Sequence, residues 1–481
     1  MTKKIAIVGA GVGGLATAAR LSSLGHQVEV YEKLSECGGR AHIIEDRGFK
    51  FDTGPSFVLM PDFFEELFSS CGKKISDYLD LQALESSYKI FYGDGTTLSV
   101  YRDSERTKDE LERIEGGSAR AYDAFLKDTA QVYHDVKPLL YKCFTKKSII
   151  NPNYWRLLLT LKPWESYWQK SNNFFKTDKL NYAFTFEAMF IGVSPFEAPG
   201  FYSIITYADH VQKIFHPMGG MYQIPLALER LAGEYGTVFQ YGTSVQSITP
   251  RNGTITLATT RGTASADAAV VNADYSYAQG DLLKRRVPQF SYSCSVYLIY
   301  LGLKQKLKDL EHHNLFLSHD VRKNLKQIFT HKQVPDDPSF YIHIPTLTDQ
   351  SLAPAGKEIV YILVPVPNMQ NNNRPFADEE DRIRNAVFTR VRRETGVDLL
   401  PLAEVEHRFY PRDFITRYNV PYGATFGLSH SLFQSAFFRP SNRDAGIKNL
   451  YYVGASTQPG GGLPPVIASS RIVSDLIAHT T

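Results

Sequence analysis

The chain has 481 residues, 43% of them hydrophobic, enough for a large core and for two or three domains rather than one. Lys and Arg number 53 against 50 Asp and Glu, and the resulting formal charge of +3 excludes a nucleic-acid footprint, which needs clustered basic residues. The four cysteines, Cys37, Cys71, Cys143 and Cys294, form no CxxC pair, so no metal site or disulfide framework is expected and a reducing, cytosolic compartment fits.

The start, MTKKIAIVGA, imitates a signal peptide, but its apolar run of about five residues falls short of the roughly 7 to 15 of a signal core. No apolar stretch approaches the ~20 residues of a membrane-spanning helix. Residues 4–9 read as a buried parallel strand, 13–25 as an Ala- and Leu-rich helix, and 27–32 as a second strand, together a βαβ unit. A polar helical pattern covers 107–135, interrupted at Gly116-Gly117. Residues 223–235 read as a helix, followed by strands at 237–240, 244–249, 254–259 and 268–272, a return to the first domain. Segments 294–303 and 358–366 are β-rich, 378–395 has helical spacing, and Asn368–Pro375 (NMQNNNRP) reads as a polar surface loop.

Gly9-Ala10-Gly11-Val12-Gly13-Gly14 places GxGxxG between a strand and a helix. Gly9 permits the tight turn, Gly11 lets backbone approach a pyrophosphate, and Gly14 lets helix and strand pack closely. The helix N-terminus supplies free N–H groups and positive dipole, and Glu32, closing the second strand, is placed for ribose hydroxyls. Cys37-Gly38-Gly39-Arg40 forms a second glycine turn whose guanidinium suits the far side of a flavin pyrophosphate, favouring FAD over NAD. At the other end, NLYYVGASTQPGGGLPPVIASS (449–470) gives a strand, a small-residue turn and a helix start able to face a ribityl chain and a flavin ring.

These segments, with Phe51-Asp52-Thr53-Gly54-Pro55-Ser56, closely resemble the bacterial phytoene-desaturase type of carotenoid desaturase. The resemblance continues through FTFEAMFIGVSPF (184–196), HPMGGMYQIPLALERLAGEYG (216–236), HHNLFLSHD (312–320), TDQSLAPAG (348–356) and FFRPSNRDAGIKNLY (437–451). It departs where the usual PGxGxPGV reads PGGGLPPV, with Pro465 in place of a glycine. The resemblance implies an α/β fold: a Rossmann-like FAD-binding domain with an inserted α+β substrate-binding domain and a helical lid. The expected division is 1–90, 222–290 and 440–481 for FAD, and 91–221 and 291–439 for substrate, with 136–215 a helical lid or membrane-contacting region. The residues expected at FAD are Gly9, Gly11, Gly13, Gly14, Glu32, Lys33, Gly39, Arg40, Gly54, Pro55, Ser56, Val245, Gly454, Ala455, Gly461, Leu463, Pro464 and Val466.

The implied activity is FAD-dependent desaturation of an acyclic carotenoid, with 3,4-desaturation of a 1-hydroxycarotenoid as the branch suggested. A C–H bond beside a conjugated system can lose hydride because the cation is delocalised, and flavin is a suitable acceptor. Glu187, His216 and His312, with Asp209 and His313, are candidates for taking the accompanying proton if they reach the flavin, and each reads more simply as structural. Arg412, Asp413 and Arg417 read as a domain-interface ion network. Between Tyr141 and Phe175, Trp155, Trp164 and Trp168 accompany Leu157, Leu158, Leu159 and Leu161 and the cations Lys142, Lys146, Lys147, Arg156, Lys162 and Lys170. That composition suits either an interfacial anchor or a lid on the core. The expected location is therefore cytoplasmic, peripheral to the inner face of the cell membrane, with a lipophilic carotenoid as partner and an unassigned electron acceptor. A carotenoid isomerase, an amine oxidase and a non-catalytic isoprenoid carrier share the fold and remain open alternatives at this point.

Overall fold

The first strand, β1 (Lys4–Val8), is apolar along its length because both faces of its sheet are covered. In a computed structural model that describes residues 2–145, 148, 160–370 and 377–479, with side chains omitted at 377 and 378, β1 is the centre of a five-stranded parallel sheet. It pairs with β2 (Gln27–Tyr31) on one side and Ala268–Val271 on the other, and Val238–Gln240 and Leu450–Tyr452 form the edges. Between β1 and β2 runs α1 (Val12–Ser23), buried on nearly every residue because it packs against both Gln223–Glu234 and the C-terminal helix Leu463–Ala478. Small side chains therefore dominate it. A three-stranded antiparallel ribbon follows at Val245–Arg251, Thr254–Thr259 and Gly262–Ala266. Its last strand, GTASA, lacks large branched or aromatic residues and so gives little strand signal.

The second sheet has seven strands in the order 403–409, 295–303, 358–366, 340–343, 313–316, 86–91, 97–101. All its pairings are antiparallel except that of His313–Phe316 with Ser86–Phe91. Strand alternation gives its two faces separate tasks. Tyr297, Ile299, Leu301, Ile362 and Val364 pack against Ile383, Val387, Phe388 and Val391 of the helix Ala377–Thr395. Val296, Leu298, Tyr361, Leu363 and Pro365 face a cavity on the opposite side.

The architecture is α/β, a Rossmann-like cofactor sheet with an inserted α+β unit. Ser86–Phe91, which crosses the expected boundary at residue 90, lies in the seven-stranded sheet. The polar stretch 107–135 is two helices, Ser104–Ile114 and Ser118–Val136, broken where Gly117 takes φ +86°. Short helical segments occupy the described part of 160–210. Asn368 is not solvated as a surface loop residue, because its amide is buried and donates to Tyr292 O at 3.2 Å and Ser293 O at 2.7 Å. Residues 371–376 of that expected loop lie outside the described residues.

A Cβ on Gly14 would stand 2.1 Å from the Gly9 carbonyl oxygen, so helix and strand touch through backbone there. Gly14→Ala is expected to destabilise the protein by about 3 kcal/mol or more, read as a lowered Tm. An unchanged Tm contradicts this packing.

Candidate active site

After β1 the chain turns at Gly9 with φ +102°, and α1 begins behind Gly11 with no side-chain cap, leaving its first N–H groups available. Cβ atoms on Gly11 and Gly13 would each come 2.8 Å from the amide of Asn272, the residue after strand Ala268–Val271. Asn272 donates to Val453 O at 3.1 Å, tying two strand ends together beneath the turn. The buried Glu32 carboxylate accepts from Ala10 N at 2.8 Å and Leu34 N at 2.9 Å.

The second glycine turn lies against the first, with Gly38 bridged to Gly11. Arg40 Nη1 donates to Thr425 O at 2.6 Å and its charge faces Asp274. Asp274 accepts from Ser456 Oγ at 2.5 Å and Ser276 N at 3.0 Å, and its burial raises the carboxyl pKa even against these bonds and Arg40. At the C-terminal end, Gly454 and Gly462 take φ +123° and +100°, and Leu463–Ala478 starts with Pro464 and Pro465 in a first turn that lacks a side-chain cap. Two uncapped helix N-termini thus line one cavity of about 610 Å³.

Every residue expected at the cofactor lines this cavity except Gly14, which packs beneath it. The cavity continues from the glycine turns into an apolar tunnel walled by Phe186, Phe190, Leu315, Leu317, Phe340 and Leu363. Two buried groups not singled out by sequence hold its floor. Arg439 donates to five carbonyls, those of Leu428, Ser429, Gln434, Ala455 and Thr457, and so fixes the turn 454–461. His430 Nε2 accepts from Gly461 N at 2.9 Å, which leaves Nδ1 to donate to Ile191 O at 3.1 Å. Burial, then the charge of Arg439, holds this imidazole well below its ordinary pKa, so it is neutral. No local motif marks either residue; both are recognised only when distant loops meet.

The proton-acceptor candidates do not line the cavity. On segment Phe186–Ile191, Phe186 and Phe190 face it while Glu187 turns away. The Glu187 carboxyl accepts from the Tyr167 hydroxyl and from Thr206 Oγ1 at 2.7 Å, beside buried Asp209 and His210. His216, His312 and His313 sit in a buried imidazole cluster with His343. Nor do Arg412, Asp413 and Arg417 form an ion network among the described residues. Asp413 Oδ2 accepts from Tyr410 N at 2.6 Å as a helix cap. Arg417 lines the cavity with its Nε unpartnered and its Nη2 3.1 Å from His42 Nδ1.

Trp168 is buried against Tyr182 and Phe196, and Lys170 pairs with Asp128, so both serve packing rather than a membrane anchor. Trp164 is 63% exposed, beside cavity-lining Pro163. Trp155, Leu157, Leu158, Leu159, Lys146, Lys147 and Arg156 lie outside the described residues. Among the described residues no helix is long and apolar enough to cross a membrane.

The flavin containing amine oxidoreductase family matches residues 12–478, and the chain belongs to it: it is an FAD-dependent oxidoreductase. It is 38% identical to a zeta-carotene-forming phytoene desaturase of Myxococcus xanthus, covering 98% of this chain and 93% of the relative. It is 32% identical to a carotenoid 3,4-desaturase of Haloarcula japonica, covering 98% and 97%. In fold it is similar to putrescine oxidase bound to putrescine, with TM-score 0.64 at 14% identity over 99% of both chains.

Burial pushes the Glu187 and Asp209 pKa values up, and for Glu187 the neighbouring Asp209 carboxylate adds to this. Unfolded, both titrate near pH 4, so above that pH the folded state holds more protons and stability falls as pH rises. Glu187→Gln removes one of the two groups, and its Tm is expected to fall less than wild type between pH 5 and pH 8. Equal falls contradict the assignment.

Proposed function

We propose that this protein is a carotenoid desaturase that introduces a double bond into an acyclic carotenoid, with a 3,4 bond in a 1-hydroxycarotenoid as the finer reading. The observation that carries it is the continuity of the cofactor cleft with a tunnel of aromatic and aliphatic side chains. A polyene offers such a wall nothing but apolar surface, and burying that surface is the main source of its binding. The Haloarcula japonica relative supports the 3,4 reading.

The cleft suits FAD on its own geometry. Two uncapped helix N-termini and the unpartnered Arg417 Nε offer donors to anionic and acceptor groups, and Gly11 and Gly13, with no Cβ, let the turn seat closely on Asn272. Glu32 would take ribose hydroxyls, Gly11 to Gly13 and Arg40 the pyrophosphate, and Gly454 to Val466 the ribityl and ring end, with Lys33, Gly39, Gly54, Pro55, Ser56 and Val245 completing the walls. When bound, FAD supplies the hydride acceptor that desaturation requires. The chain supplies position and dryness: Phe186, Phe190, Leu315 and Leu363 orient the polyene and exclude water. His430, neutral and hydrogen-bonded at both nitrogens, holds the Gly461 turn without adding charge to the tunnel.

The reading extends to the tunnel's lipid supply. Phe433 and Phe438, 75% and 54% exposed, flank the cavity-lining Ala436 and Phe437, and Trp164 follows Pro163 in the same way. Aromatic residues at a tunnel rim favour entry of substrate from a bilayer surface.

Three outcomes are expected. Gly11→Val, which places atoms where the Asn272 amide stands, purifies without bound flavin, checked by absorbance of the released cofactor; full retention contradicts the assigned cleft. Phe433→Ser with Phe438→Ser lowers cosedimentation with liposomes by about tenfold or more, and unchanged partition removes these residues from the membrane contact. With FAD and acyclic carotenoids of different end-groups in liposomes, the extracted pigment absorbs further to the red and loses two hydrogens by mass. Unchanged mass with a shifted spectrum indicates isomerisation, and no change with any carotenoid sinks the reading.

A further inference from the structure

Desaturation leaves a proton to be disposed of, and several hydroxyls, the His430 imidazole and the Glu32 and Asp274 carboxylates line the cavity. Tyr341 differs in that its hydroxyl meets a cluster of imidazoles. It lines the cavity from strand Phe340–His343, and its hydroxyl donates to Ser56 Oγ at 2.9 Å and lies 2.6 Å from His313 Nδ1. His313 stacks on the imidazole of His343 at a centroid distance of 5.0 Å and meets that of His312 edge-on at 4.5 Å. These two share a hydrogen bond between their Nε2 atoms at 2.9 Å. His216 lies against His312 at 5.2 Å, and its Nε2 is 3.8 Å from Asp349 Oδ2. Asp349 Oδ1 accepts from Ser351 Oγ at 2.6 Å, and Ser351 is exposed.

We infer that Tyr341, His313, His343, His312, His216 and Asp349 form a relay that carries the proton released by desaturation from the tunnel wall to the surface; this rests on the desaturase reading. Packing explains the far end, where Asp349 caps the short helix Gln350–Leu352 by accepting from Ser351 N at 2.9 Å, but not a hydroxyl in the cavity wall that meets an imidazole cluster. It also leaves both ring nitrogens of His216 and Nε2 of His313 buried without hydrogen-bond partners, an arrangement that costs free energy unless a mobile proton or a water bridges them.

Bound FAD would supply the acceptor for one C–H hydrogen, which leaves with both electrons as hydride. The neighbouring C–H bond breaks, its electron pair becomes the new π bond, and its proton goes to the Tyr341 oxygen while the hydroxyl's own hydrogen, turned from Ser56 Oγ towards His313, moves to Nδ1. His313 then releases its other proton from Nε2 into the cluster. A C–H bond beside a polyenyl cation is strongly acidic, so a weak base is sufficient. Burial depresses the imidazoles, His313 to about 3 and His216 to about 4, which keeps them neutral and stops any of them from trapping the proton.

The test uses the FAD-loaded protein with carotenoid-loaded liposomes under anaerobic conditions, following loss of flavin absorbance. Tyr341→Phe and His313→Ala are expected to slow flavin reduction by about tenfold or more with FAD content unchanged. Added imidazole restores part of the rate to His313→Ala, a response that a structural defect does not give. Wild-type rate in Tyr341→Phe overturns the relay, and this conservative variant decides the matter alone if His313→Ala fails to fold. Loss of rate in His313→Ala that imidazole leaves untouched overturns the role of His313. One equivalent of zinc or iron in the wild type, lost in His312→Asn, also overturns it, since the cluster is then a metal site. If no carotenoid reduces the wild-type flavin, the failure belongs to the desaturase reading and removes the relay with it.

Discussion

The approach of backbone to backbone at the first strand–helix turn constrains everything built around it. With a Gly14 Cβ position only 2.1 Å from the Gly9 carbonyl oxygen, α1 sits directly on the sheet, and its uncapped N-terminus opens at the end of β1. Asn272 fills the space that side chains on Gly11 and Gly13 would take, and ties the turn to Val453 and hence to the C-terminal loop. Through that contact, residues more than four hundred positions apart share one anion-friendly cleft. Arg439 secures the second half of it by donating to five carbonyls, three in residues 428–434 and two in the turn 454–461.

The tunnel follows from a different rule. Strand Ser295–Leu303 is buried at every position, yet its two faces are not equivalent. One set of alternate residues packs on the helix Ala377–Thr395, while Val296 and Leu298 of the other meet the cavity, so a single apolar strand both builds the core and lines the cavity. A substrate that presents only hydrocarbon to this wall is held by area and shape rather than by directed hydrogen bonds. On the proposed reading, water exclusion and substrate positioning fall to residues that also build the core.

Much of this was legible in the sequence. Glycine spacing, the acid at Glu32 and the helix start after Pro464 carry their own physical reasons, and each residue assigned to the cleft from those reasons lines it, apart from Gly14, which packs below. The side chains of the substrate unit were less legible. Glu187 sits one residue from Phe186, and only the turn of a short 3₁₀ segment shows that the phenyl ring faces the tunnel and the carboxyl does not. Trp168 has the composition of an interfacial anchor, but packs against Tyr182 and Phe196. His430, Tyr341 and Arg439 have no local signature, because their meaning comes from loops and strands that approach only in three dimensions. Strands as short as His313–Phe316 and Phe340–His343 are likewise defined by their neighbours more than by their own pattern.

The central claim, that one continuous cavity holds FAD at the glycine turns and a polyene along the apolar sheet face, is tested most directly by a crystal structure of the protein with FAD and an acyclic carotenoid. The account predicts pyrophosphate density at Gly11 to Gly13 and polyene density beside Phe190, Leu315 and Leu363. A flavin bound away from the glycine turns, or a polyene confined to the outer surface with the tunnel empty, would contradict it.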